Sequence, residues 1–266
     1  MRSFIQLSDT HIRANGELTL RCIDTSAYLS EAVRTINGMS PKPDALIITG
    51  DLADGGRHEE YEHLAKLLSP LTLPYYLLPG NHDDRDEMRR SFPDHHYLGA
   101  KGEFVHYTID LEQIVVIGID TSMQGQSAGA LCRDRLGWLE EALGQTRDRT
   151  VVVAMHHPPF ETYIDHMDQV GLMTGKDEFV EIITKHPHVE RIICGHLHRS
   201  IDSRVGYTMA STAPSPAHQV ELDLSMGSVP QWIKEPPGFK VHVWRPGGGL
   251  VSHLVYAGQF EGPYPL

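Results

Sequence analysis

"RIICGHLHRS", residues 191–200, decides how this chain is read. The apolar run Ile192-Ile193-Cys194 ends on Gly195, and two histidines, His196 and His198, follow one residue apart. The run predicts a short buried strand with two imidazoles at its mouth. What those imidazoles do depends on what other strands bring to the same place.

The same arrangement recurs along the chain. "SFIQLS" (3–8) runs into Asp9-Thr10-His11. "DALIITGD" (44–51) stops at Gly50-Asp51. "PYYLLPGNHDD" (74–84) ends in Gly80-Asn81-His82-Asp83. "TVVVAMHHPP" (150–159) ends in His156-His157. Helical spacing over about 22–38, and "HEEYEHLAKLLSPL" closed by Pro70, alternate with the first three strands. Such β-α-β-α-β order predicts parallel strands joined by crossover helices. From residue 104 onward "FVHYTID" and "QIVVIGID" predict an antiparallel hairpin, and "LGWLEEALGQ" and "DEFVEIITKH" predict helices. The tail from about 206 reads as strands punctuated by Pro and Gly, with "SMGSVPQWIKEPPGF" (225–239) as a loop or lid. The expected architecture is two β-sheets with helices outside.

Composition limits the function. The chain has 266 residues, 40% of them apolar, which is enough for one large α/β domain. Its net charge of −12, without a Lys/Arg stripe, argues against a nucleic-acid polymer as partner. An acidic chain can still act on a phosphate ester where bound cations reverse the local field. Cys22, Cys132 and Cys194 are too few and too scattered for a disulfide framework or a thiolate metal site. No apolar run reaches membrane-spanning length, so no membrane partner is expected and a soluble cytoplasmic protein is.

Taken singly, each strand-end block has an ordinary reading. Asp9 and Gly50-Asp51 suit turns, and Asn81 to Asp84 suit the opening of the helix "DDRDEMRRSF". Taken together, five unrelated strands end in metal-ligand residue types, where α/β sheets bind their ligands. Carboxylate, amide and imidazole donors without thiolate suit Mn, Fe, Zn or Co. The number of ligands is too large for one tetrahedral ion and suits two adjacent ions sharing a carboxylate. Asp51 is the natural bridge.

D-x-H, G-D, G-N-H-D, H-H-P-P and G-H-x-H, in this order over residues 9 to 198, resemble the calcineurin-like metallophosphoesterase superfamily. Within it the chain is similar to the class III cyclic nucleotide phosphodiesterases, and most to their bacterial glycerophosphodiesterase group. "GRHEEYEHL", "LPGNHDD", "MHHPP" and "AHQV" carry that nearer likeness. The resemblance implies a four-layer α-β-β-α sandwich with a small C-terminal cap. Residues 1–205 would form the catalytic domain, and 206–266 the strands and cap completing it. It implies Asp9, His11, Asp51 and His198 around one divalent ion and Asp51, Asn81, His156 and His196 around the other. The reaction would be hydrolysis of a small phosphodiester, a cyclic nucleotide or glycerophosphodiester, by metal-activated water or hydroxide. Asp51, Asn81 and His82 would carry the catalysis, with His82 as phosphate contact or leaving-group acid, a task the neutral-range pKa typical of an imidazole suits. Substrate would meet Asn81, His82 and His218. His157 and Asp54 would support the ligands from behind.

A phosphomonoesterase would share this metal core and differ in the leaving-group pocket, to which 206–266 would contribute. Trp232, Trp244, Tyr256 and Phe260 there are candidates to face a ligand or a neighbouring subunit, with ordinary packing the simpler reading for any one. A homo-oligomer through the cap is the expected assembly. A non-catalytic scaffold would be expected to lose ligands, and none is lost. A DNA exonuclease would want a basic groove. The other ten histidines, His166 among them, match no motif and read as surface or packing, and Cys194 as core.

Overall fold

A computed structural model describes residues 1–99 and 104–265. The chain runs β1 (Arg2–Leu7), α1 (Thr25–Asn37), β2 (Ala45–Thr49), α2 (His58–Leu68), β3 (Tyr75–Leu78) and α3 (Arg85–Ser91). It continues through the hairpin β4 (Tyr107–Asp110) and β5 (Ile114–Gly118), then β6 (Gly129–Ala130), α4 (Arg133–Gln145), β7 (Thr150–Ala154) and α5 (Asp165–Asp168). Next come β8 (Leu172–Thr174), α6 (Lys176–Lys185), β9 (Val189–Cys194), β10 (Asp202–Val205) and β11 (Thr208–Thr212). The last elements are β12 (Gln219–Val220), β13 (Trp232–Ile233), β14 (Gly238–Arg245) and β15 (Gly249–Tyr256).

Two sheets carry the molecule. One has strand order β15-β14-β1-β2-β3 and the other β10-β11-β9-β7-β5-β4. Strands β1, β2 and β3 run parallel, as do β5, β7, β9 and β11. The apolar runs predicted this, because strands buried on both faces need no polar alternation. The second sheet shows what covers each face. Ile114, Val116, Val152, Ala154 and Ile193 point into the core shared with the first sheet. Their neighbours Val115, Ile117, Val151, Val153, Ile192 and Cys194 point the other way, against Leu139 and Leu143 of α4 and Phe179 and Ile183 of α6. Helices α1 to α3 cover the first sheet through Leu29, Ile36, Tyr61, Leu64 and Met88. The result is the four-layer α-β-β-α sandwich the resemblance implied.

Local signals match the sequence. Asp24 caps α1 by accepting from the Ala27 N–H, and Asp84 caps α3 by accepting from Asp86 and Glu87. The C-terminal strands are integral: Val241 of β14 pairs with Ile5 of β1, and β10 pairs with β11 as an antiparallel hairpin. No helix of the described residues is long and apolar enough to cross a membrane.

One buried polar contact joins the two sheets near their carboxyl ends. Gln6 of β1, fully buried, donates from Nε2 to the Cys194 carbonyl of β9 at 2.8 Å and to Thr49 Oγ1 at 3.2 Å. Its Oε1 meets His242 Nε2 of β14 at 3.2 Å. Three strand ends are thereby held in register at the seam from which the site grows. Gln6→Leu keeps the volume and removes the contacts, leaving His242 with a buried unpaired nitrogen. We expect a loss of about 1–3 kcal/mol in chemical unfolding, and no loss would show that the bridge contributes nothing to joining the sheets.

Candidate metal centre

The site begins where the parallel strands stop. Among the described residues nine non-glycine positions have positive φ. Five of them are Asp9 (55°), His11 (43°), Asp51 (50°), His196 (72°) and His198 (52°). A left-handed conformation costs a residue with a Cβ about 1–3 kcal/mol and persists only where the surroundings enforce it. Here the surroundings are backbone ties between strand ends. The Asp9, His11 and Ile12 N–H groups donate to the carbonyls of Gly50, Asp51 and Leu52, and Gly195 N–H donates to the His156 carbonyl. The Asp83 carboxylate accepts from the Leu52, Ala53 and Gly80 N–H groups and from the Tyr61 hydroxyl, stapling the turn after β2 to the turn after β3.

Two motif glycines are fixed by crowding. A Cβ on Gly80 would lie 2.2 Å from Asp51 Oδ1 and 2.4 Å from the Asp51 nitrogen. A Cβ on Gly195 would lie 2.1 Å from Ser8 Oγ and 2.6 Å from the Thr49 carbonyl.

The side chains converge in two sets around one carboxylate. On one side, His11 Nε2 lies 3.5 Å from Asp51 Oδ2 and 3.1 Å from His198 Nε2, and His198 Nε2 lies 3.6 Å from Asp9 Oδ1. On the other, His156 Nε2 lies 3.4 Å from Asp51 Oδ1, and Asn81 Oδ1 lies 3.1 Å from His156 Nε2 and 3.0 Å from His196 Nδ1. Asp9, Asp51, His11, His156, His196 and His198 are all buried.

The outer nitrogens set which atoms face inward. His156 Nδ1 donates to the Thr49 carbonyl at 2.8 Å, and His198 Nδ1 to the His218 carbonyl at 2.9 Å. His11 Nδ1 donates to Asp54 Oδ1 at 3.1 Å, and Arg13 anchors the same carboxylate through Oδ2. Each ring therefore presents Nε2 to the centre, the arrangement seen when a second partner orients a metal-bound imidazole. In their neutral forms His11 and His198 aim lone pairs at each other across 3.1 Å, a contact that needs a proton or a cation between them.

The charges suit a cation. Burial would raise Asp51, yet the imidazoles of His156, His82 and His11 hold it well below the usual carboxylate range. Burial pushes Asp9 up to about 6. Burial pulls His196 and His198 down to about 3, so both are neutral and offer lone pairs near pH 7. Burial acts against His156 too, but Asp51 beside it lifts that ring to about 9. An ionised Asp51 thus draws a positive charge to its side, and a divalent ion supplies it by displacing protons. Carboxylate, amide and imidazole donors gathered in two sets around Asp51 fit a pair of divalent ions.

A cleft of about 440 Å³ opens above these sets. His82 lines it, exposed, with Nδ1 bonded to the Asp54 carbonyl at 2.7 Å. His218 lines it beside His198, ring centroids 4.7 Å apart. All seven predicted ligand positions and both substrate histidines are therefore brought to one place. His157 stands beside His196, bonded to Thr121 and to the Ser127 carbonyl, and Asp54 is bonded to His11. Of the four aromatic candidates only Trp232 lines the cleft. Trp244 packs half-buried on the inter-sheet core, and Tyr256 and Phe260 lie exposed elsewhere. Residues 230–232 of the expected lid do reach the cleft. His166, read from sequence as packing or surface, lines it as well. Its motif-free setting carried no signal; Asp83 stands in the G-N-H-D block, but its stapling depends on chain turns the sequence does not display.

Fold and site together define a metal-dependent phosphoester hydrolase. The chain belongs to the calcineurin-like phosphoesterase family, whose family model matches residues 2–200. It is 37% identical to a "Probable glycerophosphodiester phosphodiesterase GpdQ" of Arcobacter nitrofigilis, over 98% of this chain and 96% of that one. It is 34% identical to a "Probable cyclic nucleotide phosphodiesterase" of Rhodopseudomonas palustris, over 98% and 94%. Its fold is that of a dimetal phosphatase from Danio rerio, with a TM-score of 0.67 at 13% identity over 97% of this chain and 99% of the other.

Gly80→Ala tests the packing at the centre. The added methyl must push Asp51 or its backbone aside. Metal per chain, read by elemental analysis, should fall by half or more, and kcat/KM by about 100-fold, with an unchanged far-UV spectrum. Full metal content and rate would contradict the crowding.

Proposed function

We propose that this chain is a binuclear-metal phosphodiesterase acting on small soluble diesters, glycerophosphodiesters or cyclic nucleotides. The observation that carries the reading is the divided Asp51 carboxylate, Oδ2 toward His11 and Oδ1 toward His156. Asp9, His11, Asp51 and His198 would hold one ion, and Asp51, Asn81, His156 and His196 the other. The donor types suit Mn, Fe, Zn or Co. When bound, such a pair neutralises the phosphate and acidifies water.

The chain's own groups do the rest. Asn81 meets His156 and His196 and also lines the cleft, so it positions substrate as well as metal. His82 spends Nδ1–H on the Asp54 carbonyl, which leaves Nε2 free at the cleft. A proton on that nitrogen passes to the departing alkoxide. His218, on the same wall, contacts a phosphate oxygen. Among the described residues the cleft is lined by no lysine or arginine, which favours the single charge of a diester over the two of a monoester. The two curated relatives span nearly the full chain and bear the two diester names, which supports both substrate classes.

Assembly and location follow the same reading. Leu222, Leu224, Met226 and Val229 stand exposed beyond β12, supporting a homo-oligomer through the cap. Three unpaired cysteines support a reducing, cytoplasmic setting.

Rates on bis(p-nitrophenyl) phosphate and p-nitrophenyl phosphate, with Mn, Fe, Zn and Co added separately, test the reaction. The diester should be the faster substrate. His82→Ala should lower kcat about 100- to 10,000-fold with metal content intact, while Asp51→Asn should lose both ions. A preferred monoester, or an unimpaired His82→Ala, would overturn the reading.

A further inference from the structure

The cleft has two unlike walls. One is the ion-holding wall. The other is built from Leu20, Met167, Val170, Val220, Pro230 and Trp232. Leu20 and Trp232 are 47% and 39% exposed, large apolar side chains left open to water at the mouth of a polar site. This wall offers no charged group, whereas recognition of an ammonium or a second phosphate needs an opposite charge or an aromatic cage. The nearby carboxylate of Asp54 is already held by His11 and Arg13. Polar residues lie beside the apolar surface, among them Gln231, and His166 with its Nδ1 buried and without a hydrogen-bond partner.

The apolar wall is joined to the centre through the backbone. The His218 carbonyl accepts from the ligand ring of His198, and the next residues form β12. Val220 of β12 pairs with Trp232 of β13, so both side chains share one face of the ribbon. The ribbon's loop is clasped to the opposite rim by Gly227 N–H donating to Asp165 Oδ2 at 3.0 Å. A phosphate held at the ions thus has its ester arm directed along a fixed apolar surface.

We infer that this cleft selects phosphodiesters carrying an uncharged, flat or apolar ester arm, with Trp232 as the specificity-determining residue. The inference rests on the phosphodiesterase reading and deepens it. An aromatic arm lies against Trp232, Val220 and Leu20, and His166 meets a polar edge on it. An ammonium on the arm would lose its hydration against these apolar side chains, so a zwitterionic arm is disfavoured.

The test uses one leaving group and varies the other arm. Phenyl, ethyl and 2-aminoethyl p-nitrophenyl phosphates are compared on the metal-loaded enzyme. We expect kcat/KM to fall in that order, with phenyl exceeding 2-aminoethyl by at least about tenfold. Trp232→Ala should shrink the phenyl-to-ethyl ratio by about tenfold. Ile233→Ala, the next residue and on the other face of the ribbon, should leave that ratio intact, showing that the ribbon itself is sound. Equal rates on all three diesters, a preference for the 2-aminoethyl ester, or an unchanged ratio in Trp232→Ala overturns the inference while leaving the phosphodiesterase standing. No turnover of any diester with any metal overturns both.

Discussion

The structure turns on one carboxylate with two occupied sides. Asp51 is buried, ionised against the pull of burial, and faced by imidazoles at both oxygens. A buried anion without compensation is expensive, so everything around it serves to supply positive charge. Protonated histidines can do this only by keeping neighbouring rings neutral, which is the pattern seen in His156 against His196 and His198. Divalent ions resolve the same demand while leaving every imidazole a ligand.

That requirement explains the cost accepted in the backbone. Residues placed to hold such a centre must leave their strands abruptly and turn inward, and five of the candidates do so in a conformation that side chains disfavour. The enforcement comes from ties between strand ends, from the Asp83 staple, and from glycines where a methyl would strike the carboxylate or a strand-end carbonyl. Beneath them Gln6 bonds one sheet to the other. The two-sheet sandwich serves as a rigid frame that lets unrelated segments meet within hydrogen-bonding distance.

Much of this was readable before folding. Apolar runs such as "ALIIT" and "TVVVA" announce strands buried on both faces, and the polar residues just beyond each announce one shared site. Other features depend on distant chain. The pairing of β14 with β1 joins Val241 to Ile5, and nothing local in either run names its partner. Positive φ at Asp9 or His198 is imposed by neighbouring loops against local preference. His166 and Trp232 sit in ordinary sequence, and only the clasp and ribbon bring them to the cleft. Trp244 belongs to an equally plain stretch and turns instead onto the core. Ligand types are thus legible because chemistry restricts them, whereas the apolar residues of the cleft are not, because many side chains can make an apolar wall.

The most direct measurement is anomalous diffraction from crystals soaked in manganese. The account predicts two peaks roughly 3.5–4 Å apart, one beside Asp51 Oδ2 with Asp9, His11 and His198, the other beside Oδ1 with Asn81, His156 and His196. A single peak, or two peaks that Asp51 does not touch, would contradict it.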